Sequence, residues 1–112
     1  MISLENKRIF ISGAAAGMGY SVARLAEAAG AKVYATDLVQ DGLENLAQDG
    51  VHTALLDVTS QADVLTYFND QPDFDGIVNM VGWVHHGTLV RTSNENWHRS
   101  FAVNLHSMFY VL

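Results

Sequence analysis

Apolar residues along this chain come in short blocks, and between the blocks they recur at helical intervals. The block RIFIS (8–12) is β-branched and aromatic, which predicts a strand buried on both faces. MGYSVARLAEAAG (18–30) places Val22, Leu25, Ala26 and Ala29 at helical spacing and ends on Gly30, a residue suited to the C′ position. KVYAT (32–36) predicts a second strand, and QDGLENLAQDG (40–50) a short helix closed by another glycine. HTALLDV (52–58) predicts a third strand. SQADVLTYFNDQ (60–71) opens with Ser60 as N-cap and stops before Pro72. DGIVNMVG (75–82) predicts a fourth strand and VHHGTLVR a loop. From Thr92 and Glu95, at capping-box spacing, a last helix runs to the end of the chain. Strands alternating with helices at these lengths imply βαβ units and a parallel sheet covered on both faces.

The turn from the first strand into the first helix carries Gly13, Gly17 and Gly19. Gly13 suits a tight turn. A missing side chain at Gly17 lets the backbone approach a pyrophosphate, and one missing at Gly19 lets the helix pack closely on the strand. The helix N-terminus then offers free N–H groups and the positive end of its dipole. The alternative is a glycine-rich turn in an unrelated α/β fold. A phosphate loop of the Gly-Lys-Ser/Thr kind is excluded, because no such triplet follows. Asp37 lies 24 residues after Gly13, at the end of the second strand. An acid there binds both ribose hydroxyls of adenosine and repels a 2′-phosphate. Ala14, Ala16 and Leu38 supply no base to offset that repulsion, so NAD is expected over NADP. The alternative for Asp37 is a solvated carboxylate at a strand end.

Composition narrows the picture. At 49% hydrophobic and 16% charged residues, the 112-residue chain has the make-up of one globular domain, 1–112. A net charge of −6 argues against nucleic acid as a partner. The absence of cysteine excludes disulfides and thiol chemistry. No apolar run is long enough for a membrane span, and MISLENKR is unlike a signal peptide, so a cytoplasmic protein without membrane partners is expected.

Four stretches, in order, resemble the short-chain dehydrogenase/reductase family. SGAAAGMG (12–19) resembles its T-G-x-x-x-G-x-G loop, with Ser12 in place of threonine. The resemblance makes Ser12, Gly13, Gly17, Met18 and Gly19 cofactor contacts, followed by Asp37 and Leu38. Asp57 and Val58 are similar to the pair that meets the adenine ring. NMVG (79–82) is similar to the family's Asn-Asn-Ala-Gly, which assigns Asn79, Val81 and Gly82 to the cofactor. WHRSFAVNLHSMF resembles the helix with the active-site asparagine, here Asn104. The implied fold is a Rossmann-type doubly wound sheet in the order 3-2-1-4. The implied activity is hydride transfer between NAD and a secondary alcohol or ketone. VHHGTL, taken with that last helix, resembles a branch containing cytosolic type 2 hydroxybutyrate and 2-keto-3-deoxy-L-fuconate dehydrogenases, which implies a small hydroxy or keto acid substrate.

The family's catalytic serine and Tyr-x-x-x-Lys are missing from these residues; the only lysines are Lys7 and Lys32. Tyr20 and Arg24 share the spacing but fall on the first helix, as a surface pair. The expectation is therefore the N-terminal, NAD-binding part of such an enzyme, cut after the fourth strand and the next helix and inactive alone. The alternative is a non-catalytic nucleotide-binding or regulatory module; a methyltransferase fits Asn79–Gly82 and Asn104 poorly. Trp97, Phe101, Leu105, Met108 and Phe109 form an apolar stripe expected to be core or a homo-oligomer face, in a dimer or tetramer. His85 and His86 lack a third metal ligand nearby, so no metal is expected, and their loop is placed at the substrate cleft.

Overall fold

The computed structural model describes residues 2–112. Four parallel strands, β1 (Arg8–Ser12), β2 (Lys32–Asp37), β3 (His52–Leu55) and β4 (Gly76–Asn79), lie in the order β3-β2-β1-β4. Helices α1 (Gly17–Ala28), α2 (Gln40–Gln48) and α3 (Gln61–Asn69) make the crossovers. After β4 come a 3₁₀ turn (Leu89–Arg91), α4 (Asn94–Phe101), a wide π turn (Ala102–His106) and α5 (Ser107–Val111). This is the doubly wound α/β arrangement expected, with the strand order expected.

The period-2 alternation of β1 builds two cores, one on each side of the sheet. Ile11 faces α1 and α2, where Ala23, Ala26, Leu43 and Leu46 are buried. Phe10 faces the other way, onto Val64 of α3 and Val111 of α5. Around Phe10 the rings of Phe68, Tyr67 and Phe74 stand at 4.8, 5.6 and 5.7 Å. Burial of Tyr67, with Tyr34 beside it, pushes its phenol up to about 12.

Several expectations need correcting. The buried stripe of α1 is Gly19–Ala23–Ala26, and Leu25 is exposed. Close approach at Gly19 puts the small-residue face against the sheet and turns the leucine outward. β3 ends three residues early because Asp57 leaves the sheet in a tight turn, its Oδ1 accepting from the Thr59 N–H at 2.9 Å and hydroxyl at 2.6 Å. β4 also ends early, after Asn79, beyond which Met80 still donates to Ser12 O. The last helix begins one residue later than the Thr92 box, with Ser93 Oγ accepting from Asn96 N at 3.0 Å. Thr92 instead donates its hydroxyl to Thr88 O at 2.9 Å. The stripe from Trp97 to Phe109 is not core here: its members are 40–75% exposed. No helix among the described residues is long and apolar enough to cross a membrane.

Candidate functional site

The C-terminal ends of the strands open onto a cleft of about 310 Å³. Gly13, Asp37, Leu38, Asp57, Val58, Val81 and Gly82, all assigned to the cofactor from the sequence, line it together. Parallel strands deliver these residues to one end of the sheet, where the connections leaving the paired strands β1 and β4 run to opposite faces.

The glycine loop is built by close contacts. Gly13 has φ +66°, and a Cβ there would meet the Met80 carbonyl at 2.9 Å. A Cβ at Gly19 would lie 2.0 Å from Gly13 O, so the first turn of α1 sits directly on the loop. Gly17 differs: at φ +61° its missing side chain faces open space, with no atom within 4 Å. That opening beside a helix start whose Ala16 N-cap supplies no side-chain hydrogen bond suits an anion. Met18, in the same turn, is exposed. A third glycine, Gly42 in α2, is equally tight, since its Cβ would fall 1.6 Å from Ala15 O. Its interior helical position, costly in propensity, is a signal that could have marked this contact.

Asp37 is already engaged with the loop. One oxygen accepts from Ala15 N at 3.0 Å; the other accepts from Leu38 N at 2.6 Å and Val39 N at 3.3 Å. A carboxylate has about four lone-pair sites, so acceptor capacity remains for hydroxyls in the cleft. Thr36 Oγ1, on the same strand and also at the cleft, is buried without a partner.

Ser12 and Asn79 sit beneath the cleft rather than in its lining. Ser12 is fully buried, its hydroxyl bonded to Asn79 Oδ1 and accepting from Met80 N at 3.2 Å. The pair clasps β1 to β4 at the point where the chain leaves for Val81–Trp83.

Asn104 lies in the π turn, outside the lining of this cleft. Its side chain spans the main chain of Trp83, accepting from Trp83 N at 2.9 Å and donating to Trp83 O at 2.7 Å. It also borders a second hollow of about 380 Å³ with His85, Asn96 and Ser100. Asn96 lies 3.2 Å from His85 Nδ1. The Tyr20–Arg24 pair is a surface pair as expected, with the guanidinium 5.9 Å from the ring centre and bonded to Asp49.

Sequence reading missed Trp83, Arg99, Val103 and Thr59 in the cleft wall. The statement that no base stands near Asp37 holds for the loop and β2, but α4 brings Arg99 to the same cleft. The four-residue spacing of Arg99 and Val103, which puts both on one helix face, was the available signal.

The comparisons with known proteins agree with this architecture. A family profile described as Enoyl-(Acyl carrier protein) reductase matches residues 13–112. The chain is 38% identical over 110 residues to a 2-keto-3-deoxy-L-fuconate dehydrogenase of Xanthomonas campestris pv. campestris, covering 96% of this chain and 37% of that protein. It is 34% identical to dehydrogenase/reductase SDR family member 6 of Rattus norvegicus, over 97% of this chain and 45% of the relative. A short chain dehydrogenase from Mycobacterium smegmatis superposes with a TM-score of 0.84 at 26% identity, covering 99% of this chain and 52% of that one. The chain thus spans less than half the length of both curated relatives.

Proposed function

Because the chain belongs to the short-chain dehydrogenase/reductase family, we propose that its cleft binds NAD as the cofactor half of an oxidoreductase acting on a small hydroxy or keto acid. The observation that carries the NAD reading is Asp37, whose carboxylate stands at the cleft with acceptor capacity to spare. The residues fit the group in other ways. Gly17 leaves room where a phosphate would meet the start of α1, and Asp57 keeps Oδ2 free after Oδ1 takes both Thr59 donors. When bound, the nicotinamide accepts or donates the hydride.

The chain's own residues would bind and orient. The Gly13–Gly19 loop takes the phosphates, Asp37 the adenosine ribose and Asp57–Val58 the base. Asn104 holds the Val81–Trp83 wall through its two bonds to Trp83. The substrate reading draws support from the Xanthomonas relative, whose name is that of a sugar-acid dehydrogenase. A cytoplasmic dimer or tetramer, with the exposed Trp97–Phe109 stripe as its contact, belongs to the same proposal. Titrating NADH and NADPH by nucleotide fluorescence tests the reading. Tighter NADH binding is expected, and equal or tighter NADPH binding overturns it.

A further inference from the structure

We propose that Arg99 stacks on the adenine ring of the dinucleotide, as the outer plate of a purine slot built on Trp83. The inference rests on the nucleotide reading above and goes beyond it by adding a recognition residue from outside the sheet ends and the glycine loop.

The cleft lining carries two acids, Asp37 and Asp57, and one base, Arg99. The guanidinium carbon of Arg99 lies 4.5 Å from the centre of the Trp83 ring system. Among the described residues the ion pair is Arg24–Asp49, and Arg99 has no carboxylate partner. Arg99 is thus held by contact with an aromatic face, while its charge stays uncommitted. Stacked guanidinium groups take a second flat partner on their free face, which is how arginine planes engage nucleobases.

The support under this plate is firm. Asn104 fixes the Trp83 main chain at both N–H and C=O. The His85 ring lies near-parallel to the indole, at 27° and 6.4 Å. Val103, one turn on from Arg99, lines the same cleft, with Leu38 and Val58 contributed from the sheet side. A ligand group for this slot needs apolar faces and a polar edge. Purine has both: its faces suit Val103, Leu38 and the guanidinium, and its amino edge suits the free Asp57 Oδ2. A diphosphate partner would instead favour the in-plane fork of the guanidinium, edge-on to oxygen. The position of the guanidinium carbon over the indole ring favours the stacked role.

The test uses three probes, NADH, 5′-AMP and reduced nicotinamide mononucleotide, which has no adenine. Arg99→Met is expected to weaken NADH and AMP about three- to tenfold and to leave the mononucleotide unchanged. Arg99→Lys keeps the charge but loses the plane, so it should show a similar loss. Trp83→Leu should reproduce the loss without adding to that of Arg99→Met. Because Arg99 is solvent-exposed, its variants should keep the wild-type circular dichroism spectrum. Wild-type affinity in Arg99→Met overturns the proposal, as does full rescue by Arg99→Lys. A loss shared by the mononucleotide and steepening at low salt also overturns it, by assigning Arg99 to phosphate. Failure of the unaltered protein to bind NADH or AMP removes the nucleotide reading itself, and this inference with it.

Discussion

The carboxylate of Asp37 accepts the backbone N–H of Ala15 at 3.0 Å, tying the end of β2 to the glycine loop across 22 residues of chain. The acid that would choose the nucleotide therefore also shapes the loop that would hold its phosphates. Replacing it should disturb both. Asp37→Ala leaves the N–H groups of Ala15, Leu38 and Val39 without their acceptor. A loss of roughly 1–3 kcal/mol in NADH binding is expected, as for a polar network that loses its charged partner. The preference for NADH over NADPH should shrink as well. Asp37→Asn keeps one acceptor oxygen and should retain more of the loop's order than of the preference. Fluorescence titration of both nucleotides, beside urea unfolding of each variant, separates the two effects.

Gly17 and Gly19 predict opposite failures. Nothing obstructs a side chain at Gly17 except its left-handed φ of +61°. Gly17→Asn, which tolerates that conformation, should fold near wild-type stability and lose nucleotide binding by filling phosphate space. Gly17→Val should lose binding and also cost about 1–3 kcal/mol in strain. At Gly19 even Ala is too large, because Gly13 O stands 2.0 Å from the new carbon. Gly19→Ala should cost roughly 1–3 kcal/mol of stability through overpacking. A Gly17→Asn variant that folds and binds NADH normally would refute the loop assignment.

Asn104 is expected to act by position. Because its side chain bonds both the N–H and the C=O of Trp83, Asn104→Leu should free Trp83 and shift its emission, read in a Trp97→Phe background. Nucleotide affinity should fall too, because Val81–Trp83 and Arg99 are walls of the cleft. Unchanged emission and affinity together would dismiss this role.

What could be read in advance follows a physical boundary. The four strands, the loop glycines and Asp37 were legible because each obeys a local rule: period, turn chemistry or spacing from a strand end. Ser93 displaced Thr92 as N-cap because adjacent hydroxyls satisfy the same rule, and only the backbone chooses between them. Leu25 was misplaced because the close approach at Gly19 outweighs hydrophobicity in deciding which face of α1 is buried. Arg99 was missed because nothing local connects it to Asp37; two helices, two strands and a loop intervene. The π turn at Asn104 went unseen for a related reason. No residue pattern distinguishes it from plain helix, and the Trp83 main chain that its side chain bonds lies 21 residues upstream.

Tyr67 predicts an alkaline transition. Burial, with Tyr34 beside it, raises its phenol to about 12 from an unfolded value near 10. A folded pKa above the unfolded one contributes stability that is complete below the unfolded value and lost as pH rises through the folded one. The chain should therefore lose stability between about pH 10 and 12, and Tyr67→Phe should flatten that limb. Urea midpoints at pH 9 and 11.5 are the measurement, on the order of one pH unit either side of the window's opening. Equal slopes in the two proteins would assign the alkaline limb to other groups.

A chain of these 112 residues alone should show no dehydrogenase turnover. Hydride transfer to or from a carbonyl carbon needs a proton donor or acceptor at its oxygen, worth about 10²–10⁴ in rate. The tyrosines present are Tyr20, Tyr34, Tyr67 and Tyr110, and none lines the cleft. Tyr34 and Tyr67 are committed to the aromatic cluster around Phe10 and Phe74, and Tyr20 packs beside Arg24 on α1. The lysines are placed no better. Lys32 opens β2, paired in register with Arg8, and Lys7 immediately precedes β1. Both therefore sit at the N-terminal ends of strands, opposite the end that carries Gly13 and Asp37. Asn104 can orient but cannot exchange the proton. These residues are expected to bind NADH and to produce none above background from short hydroxy acids such as 3-hydroxybutyrate. Intact mass fixes the chain length, and absorbance at the reduced-nicotinamide band follows the reaction. Robust NADH formation would require another base at the cleft, and the imidazole of His85, 3.2 Å from Asn96 beside the Asn104 hollow, is the first to replace. Loss of that activity in His85→Gln, far beyond any change in NADH affinity, would then identify it.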